Sequence, residues 1–459
     1  MTTRFDAIVI GSGQSGPSLA ERFAQNGKKV AVIERKNFGG TCVNTGCIPT
    51  KTYVASAYVA HMARRAAEYG IDIGDAVKVD MKRVKARKDG IIARSRDGVA
   101  QWMEGLENGK VYRGHARFIG PKTVNVNNEI LEADKIFINT GGRAFAPDIP
   151  GLGTVPYFTN SSLLEVDFVP EHLLIVGGSY IGLEFAQAFR RFGSKVTVVE
   201  MADRLIARED ADVSDSVREI LEAEGIDIRL NAKCLAVGKK NSTISMGLDC
   251  SSGSPRISGS HLLVAVGRKP NTDDLGLDKA GIVTDSKGFI TVDDQCLTNV
   301  EGVWAIGDVN GRGAFTHTSY NDFEIVAANL FDNDSRRISD RIPCYGLFVD
   351  PPLGRVGMTE TEVKAKGIKA LVAKRMMTSI GRARERGETQ GFMKVVVDAE
   401  SKKILGAAIL GINGDEVVHA FLDIMSVGVP YTAISRTMHI HPTVSEYLPT
   451  LLEDLKPLG

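Results

Sequence analysis

The sequence predicts an α/β protein: two units of parallel strands and helices, followed by a C-terminal region of α+β character. Three observations carry this. An apolar strand, a glycine-rich turn, a helix and a second apolar strand follow one another near the start of the chain, and the same succession returns near Leu173. After about Arg341 this pattern gives way to short alternating runs. The 459 residues also exceed what one hydrophobic core supports, so several domains are expected.

The first unit reads as a strand at 6–10, the turn Gly11-Ser-Gly-Gln-Ser-Gly16, a helix at 18–26 and a strand at 29–34. Gly11 permits the tight turn, Gly13 lets backbone approach a pyrophosphate, and Gly16 lets helix and strand pack closely. Glu34 falls about 20 residues on, where a carboxylate accepts the ribose hydroxyls of an adenosine. The second unit runs from the strand at 173–176 through Gly177-Gly-Ser-Tyr-Ile-Gly182 into a helix, then a strand ending at Glu200. Ser179 stands where the second fingerprint glycine would be, and as a residue with a side chain it tolerates a turn less freely. Two such Rossmann-like units imply two dinucleotides.

Between the units a buried strand ends in Gly141 and Gly142, and the proline-bounded stretch from Pro147 to Pro156 reads as a linker. The run from His261 to Arg268 reads as a strand that returns the chain to the first unit. The expected boundaries are therefore 1–146 and 266–340 for a split first domain, 147–265 for the inserted second, and 341–459 for the third. In the third, the runs 392–397 and 404–410 predict antiparallel strands and 416–426 a helix.

Composition narrows the function. Lysine plus arginine equals aspartate plus glutamate at 56 each, which gives no electrostatic reason to expect a nucleic acid or an anionic membrane as partner. The chain runs straight into its first strand, without room for a secretory leader, and no stretch holds the roughly 20 apolar residues of a membrane span. A cytoplasmic protein is expected. Six cysteines are too few for a disulfide scaffold, and Cys234, Cys250, Cys296 and Cys344 read as isolated thiols in a reducing compartment.

The remaining two cysteines are different. Gly39-Gly-Thr-Cys-Val-Asn-Thr-Gly-Cys-Ile-Pro-Thr-Lys51 sets Cys42 and Cys47 four residues apart, just after the first fingerprint. A disulfide between them would close so small a ring that it restrains little unfolded-state entropy. A redox role is the better reading. The spacing is not Cys-x-x-Cys, and no second pair sits at zinc-finger distance, so no metal is expected.

This segment resembles the active site of the flavoprotein disulfide reductases, the class I pyridine nucleotide-disulfide oxidoreductases that include dihydrolipoamide dehydrogenase, glutathione reductase and mercuric reductase. The resemblance extends along the whole chain. It implies FAD in the first unit and NADH, with NADPH as the alternative, in the second. It implies that Cys47 faces the flavin as a thiolate and that Cys42 exchanges with substrate, while Lys51 pairs with Glu184 near the flavin. Tyr180 matches the tyrosine that covers the flavin and moves aside for nicotinamide, and Asp308, in Val303-Trp-Ala-Ile-Gly-Asp-Val309, matches the aspartate that binds the ribityl chain. Further contacts implied are Thr41, Thr140, Gly141 and His317 to FAD, and Gly177, Ile181, Gly182 and Gly267 to the nicotinamide nucleotide. Glu200 would accept the 2′-hydroxyl of NAD and repel the 2′-phosphate of NADP, with Arg204 and Arg208 close behind to soften that preference.

The tail carries Met438-His-Ile-His-Pro-Thr-Val-Ser-Glu446. A thiol exchanging with a disulfide needs a base that titrates near neutrality, and histidine fits. By resemblance His441 is that base and Glu446 orients its ring, both reaching the partner subunit's cysteines in a homodimer with shared sites. His439 and His441 alternate and could ligate a metal, but the family carries the first as background.

The acceptor is expected to be a small disulfide or a thiol-reactive metal ion. The chain ends without the cysteine pair usual in mercuric reductases. Val43, Thr45 and Thr50 depart from the usual dihydrolipoamide dehydrogenase segment, and with the stretch from Phe315 to Ile325 they look more like the mercuric-reductase-like group that includes bacterial copper(II) reductases. Dihydrolipoamide dehydrogenase is the alternative within the enzyme class; a redox-sensing flavoprotein is the alternative outside it, although a sensor needs no proton-transfer dyad.

Overall fold

The computed structural model describes residues 2–74, 76–232, 235–249 and 255–459. Cys234 and Cys250 lie outside them. Its centre is a parallel sheet in the order Gly109–Arg113, Val30–Glu34, Thr2–Ile10, Glu129–Ile138 and Val303–Ala305. The alternation of strand Thr2–Ile10 explains why both faces are covered. Ile8 and Ile10 join a core that includes Phe118 and Val124 of the neighbouring antiparallel strands. Ala7 and Val9 point the other way, onto Leu19 and Phe23 of helix Ser15–Gln25 and Ile325 and Val326 of helix Thr316–Phe331. A strand buried on both faces has to be apolar throughout, which is why this one reads as a continuous run.

The second sheet is also parallel, ordered Asp227–Arg229, Lys195–Val199, His172–Val176 and His261–Val264. The last of these corrects one expectation. The strand beginning at His261 pairs with His172–Val176 and completes the second sheet, and the chain meets the first unit again only at Arg268–Pro270, antiparallel to Gly142–Ala144. An apolar run shows that a strand is buried but not between which neighbours.

The C-terminal region is a six-stranded antiparallel sheet ordered Cys344–Leu347, Leu353–Gly357, Ile404–Leu410, Phe392–Asp398, Ala370–Met376 and Lys456–Pro457. The expected helix at 416–426 is two pieces, Gly414–Val417 and His419–Val427, the first opened by Asn413 in the left-handed conformation. Helix Cys47–Arg64 knits the units together. Tyr53 on it packs edge-on to Phe189 and Phe192 of helix Tyr180–Phe192, at 6.3 and 5.9 Å. No helix among the described residues is long and apolar enough to cross a membrane.

Candidate active site

The two glycine turns are built alike. Gly11 and Gly177 have φ of 106° and 116°, and a Cβ on either would strike a carbonyl oxygen, Asn139 O at 2.3 Å or Ala265 O at 2.5 Å. A Cβ on Gly16 or Gly182 would meet the carbonyl of the first glycine at 2.3 or 2.0 Å, the close helix approach that the fingerprint encodes. Gly13 is different: the nearest neighbours of a Cβ there would be atoms of the Asn139 side chain, at 3.4 Å and beyond. Packing does not require glycine at this place, so the space beside it fits the close approach of a pyrophosphate. Ser179 has φ −110° and ψ −175°, extended backbone that any residue adopts, so the serine weakens the second turn less than expected.

Each turn is gripped by its acidic residue. Glu34 accepts from Ser12 N at 3.0 Å, Ser12 Oγ at 2.7 Å and Lys36 N at 2.8 Å. Glu200 accepts from Gly178 N at 2.6 Å and Ala202 N at 2.9 Å. Arg204 is engaged by Asp203 at 3.1 Å.

Cys42 lies in the short helix Gly40–Asn44 and Cys47 opens the long helix behind it. Both are free thiols, the reduced form of the expected pair. A hydrogen bond from Cys42 lowers the Cys47 thiol to about 6, helped by the Thr316 hydroxyl, 3.1 Å from Sγ, and by the Lys51 charge. The same bond, with burial, pushes Cys42 up. Of the two residues, Cys47 thus carries the thiolate and Cys42 keeps the proton. Coupled groups lose protons as a pair. Alkylation of the reduced protein by iodoacetamide is therefore expected to rise with pH through about 6; a profile that begins only in the ordinary thiol range of about 8–9 would contradict the assignment.

Lys51, one turn along from Cys47, donates to Glu184 at 2.6 Å and sits 4.5 Å from the centre of the Phe348 ring. Glu184 is 6% exposed, and its second oxygen accepts from Phe348 N at 3.1 Å. One ion pair thereby joins the redox helix, the second unit and the C-terminal region. Asp308 lies 3.7 Å from Nε of Arg268, and burial raises its carboxyl. Arg268 also donates to Thr41 Oγ1 at 3.4 Å and to Gly142 O. Thr140 donates to Asn271 O at 2.9 Å, and His317 donates from Nε2 to Cys344 O at 2.7 Å. Gly141 and Gly267 each border open space, and Ile181 is half-buried.

His441 and Glu446 meet as expected, Nδ1 to Oε2 at 2.8 Å. The ring is 80% exposed, while the carboxylate is 17% exposed. Among the described residues no hydrogen bond ties His441 to either cysteine of its own chain. Met438 and Ile440 beside it are 96% and 80% exposed, an apolar edge suited to being covered by another subunit. His439 is bonded to Thr437 O at 2.9 Å.

The contributions of Thr316, Phe348, Arg268 and Tyr345, which packs against Tyr180, were not anticipated from sequence. Thr316 and Tyr345 carried a weak signal, standing next to the noted Phe315 and at the start of a predicted strand region.

Residues 5–322 match the pyridine nucleotide-disulphide oxidoreductase family, and residues 344–452 match its dimerisation domain. The chain belongs to this family. It is an FAD-dependent oxidoreductase that also uses a pyridine nucleotide, and its dimerisation domain indicates a homodimer. It is 35% identical to the probable pyridine nucleotide-disulfide oxidoreductase RclA of Escherichia coli K12, over 99% of this chain and 100% of that one. It is 33% identical to a dihydrolipoyl dehydrogenase of Thermus scotoductus (98% and 97% covered) and 30% identical to a mercuric reductase of Staphylococcus aureus (97% and 81% covered). A solved structure of the Cu(II) complex of the HOCl-induced flavoprotein disulfide reductase RclA superimposes with a TM-score of 0.90 at 34% identity, covering 98% of this chain and 99% of that chain.

Proposed function

We propose that this protein oxidises NADH and passes two electrons through FAD and the Cys42–Cys47 pair to a small disulfide or a thiol-reactive metal ion. For a disulfide the reaction balances as NADH, a proton and RSSR giving NAD⁺ and two RSH. The observation that carries it is the sorting of one proton between two thiols: Cys47 is held as thiolate by Cys42, Thr316 and Lys51. Bound FAD would supply the hydride acceptor between nicotinamide and dithiol. The residues that would hold it are the turn around Gly13, Glu34, Thr41, Thr140, Gly141, Asp308 and His317. The nucleotide donor would lie on the second turn, with Tyr180, Ile181 and Gly267 about its nicotinamide. Lys51, fixed by Glu184, would present its charge where electrons enter the pair. Cys42 would attack the substrate disulfide, and Cys47 would then release the second thiol by attack on Cys42.

Domain organisation follows the same reading: 1–146 and 266–340 for the FAD domain, 147–265 for the nucleotide donor domain, 341–459 for dimerisation. Pairing of Gly142–Ala144 with Arg268–Pro270 supports a split first domain. NADH is the favoured donor because Glu200 is held in place by two backbone N–H groups and Arg204 is neutralised by Asp203. Glu200→Gln removes the charge and keeps an acceptor oxygen for one of those two N–H groups, which bond different oxygens of Glu200. It is expected to shift the ratio of kcat/KM for NADH over NADPH about tenfold toward NADPH, about 1.4 kcal/mol, and an unchanged ratio would reject Glu200 as the discriminator. A cytoplasmic location is consistent with the free thiols Cys296 and Cys344.

Likeness to RclA, solved as a Cu(II) complex, favours a metal ion as acceptor. Identity with the Thermus scotoductus enzyme keeps dihydrolipoamide oxidation as the second reading. The test is anaerobic: reduce the holoenzyme with one equivalent of NADH and follow its reoxidation by lipoamide and, separately, by copper(II). Reoxidation by lipoamide alone selects the second reading, and preference for copper(II) selects the first. Failure of both leaves another disulfide or the sensor.

A further inference from the structure

Tyr180, at the start of its helix, stands edge-on to two rings: Phe315 at 5.8 Å and 88°, and Tyr345 at 5.5 Å and 82°. Those two rings are stacked on one another, 5.6 Å apart and 10° from parallel, and Phe315 stacks in turn on His317 at 5.3 Å. The three form a wall. Edge-to-face contact depends on ring orientation, so where Tyr180 rests is set by where this wall stands.

The far end of Tyr345 fixes the wall. Its hydroxyl donates to Glu209, whose other oxygen accepts from Arg355 Nε at 3.1 Å and from Arg355 Nη2. Neither charged side chain reaches solvent, at 1% exposure for Arg355 and 0% for Glu209. Glu209 precedes helix Ala211–Ala223 of the second unit, and Arg355 lies on strand Leu353–Gly357 of the C-terminal sheet. The charges continue along that seam. Asp210 lies 3.5 Å from Arg355 and 3.0 Å from Lys394, whose ammonium also reaches Asp212 at 2.7 Å and Glu360 at 2.8 Å. The acidic trio Asp210, Asp212 and Glu360 therefore encloses a lysine ammonium. A network this dry is strongly destabilised by losing one partner, so it holds its members in one arrangement.

We propose that Tyr345 is a positioning residue for the nicotinamide half-reaction: anchored on Glu209 and Arg355, it holds the aromatic wall that sets the closed position of Tyr180. Entry of NADH is thereby tied to the seam between the second unit and the C-terminal sheet. This rests on the reading of Tyr180 as the ring that moves aside for nicotinamide.

Tyr345→Phe keeps the ring and its stacking and removes the anchor. A closed position that competes with nicotinamide divides the intrinsic Kd by the fraction of time the ring stands open, and loosening the wall raises that fraction. In anaerobic stopped flow of the FAD-loaded dimer, the apparent Kd for NADH is expected to fall about three- to tenfold, the ratio one hydrogen bond represents. Reoxidation of the reduced protein by a disulfide should keep its rate. Tyr345→Leu, which also removes the ring, should shift the Kd further the same way, and Tyr180→Ala gives the fully released reference. If Tyr180→Ala lowers the Kd and Tyr345→Phe does not, the anchor is overturned and the gate stands. If Tyr180→Ala leaves the NADH half-reaction unchanged, the gate fails and the proposal with it. Equal slowing of both half-reactions by Tyr345→Phe would show a merely structural role and overturn the proposal.

Discussion

Cys42→Ser is expected to abolish disulfide turnover while NADH still reduces the flavin. In the proposed reaction the two steps use different sulfurs. Electrons from the flavin side would reach the pair at Cys47, whose thiolate is held by Thr316 and Lys51 as well as by Cys42. A serine hydroxyl at position 42 can still donate to that thiolate, so the nicotinamide half-reaction keeps its geometry. It cannot form a mixed disulfide, so the outer half-reaction has no first step. The loss should exceed the about 10²–10⁴-fold that a missing general base costs, because no slower route through the same atom remains. The measurement compares NADH-driven bleaching of the flavin without acceptor against steady NADH oxidation with a disulfide present. Normal steady turnover would remove Cys42 as the interchange thiol. Loss of both activities would instead mean that residue 42 maintains the flavin site itself.

How much of this was legible in the sequence depended on whether the signal was local. The glycine turns, Cys42 with Cys47, and His441 with Glu446 are short motifs in which spacing encodes geometry, and the structure has both turns and the histidine–glutamate bond. The contacts that complete the site are not local. Thr316 is 269 residues from the sulfur it approaches, and Tyr345 is 136 residues from the carboxylate it bonds. Only the topology brings these together: the strand Val303–Ala305 returns the chain to the first sheet and leads it into helix Thr316–Phe331. The strand beginning at His261 failed for a related reason, since apolar content shows burial and says nothing of partners. Ser179 misled in the opposite direction. Sequence supplies a residue's conformational range, whereas its φ of −110° shows that position 179 does not use the range that glycine adds.

His441→Ala is expected to lower disulfide turnover by about 10²–10⁴-fold, the effect of a lost general base. The need for a base follows from the pair itself: the bond to Cys47 pushes Cys42 up, so the sulfur proposed to attack begins protonated. The base has to remove that proton and later return one to the departing thiol. His441, its Nδ1 held by Glu446 at 2.8 Å, offers Nε2 outward from a ring that is 80% exposed. A ring so exposed, with no bond to the cysteines of its own chain, can do this for the partner subunit across a dimer. That arrangement makes a second, sharper expectation. Co-expressing Cys42→Ser with His441→Ala chains should restore activity, because in each mixed dimer one site receives an intact cysteine pair from one chain and an intact histidine from the other. Random pairing makes about half the dimers mixed, with one working site in two, so about a quarter of native activity should return. If sites were completed within a single chain, each mixed dimer would contain two broken sites and nothing would return. An unchanged rate in His441→Ala alone would remove the dyad from the chemistry; a lowered rate without complementation would keep the dyad and reject sharing between subunits.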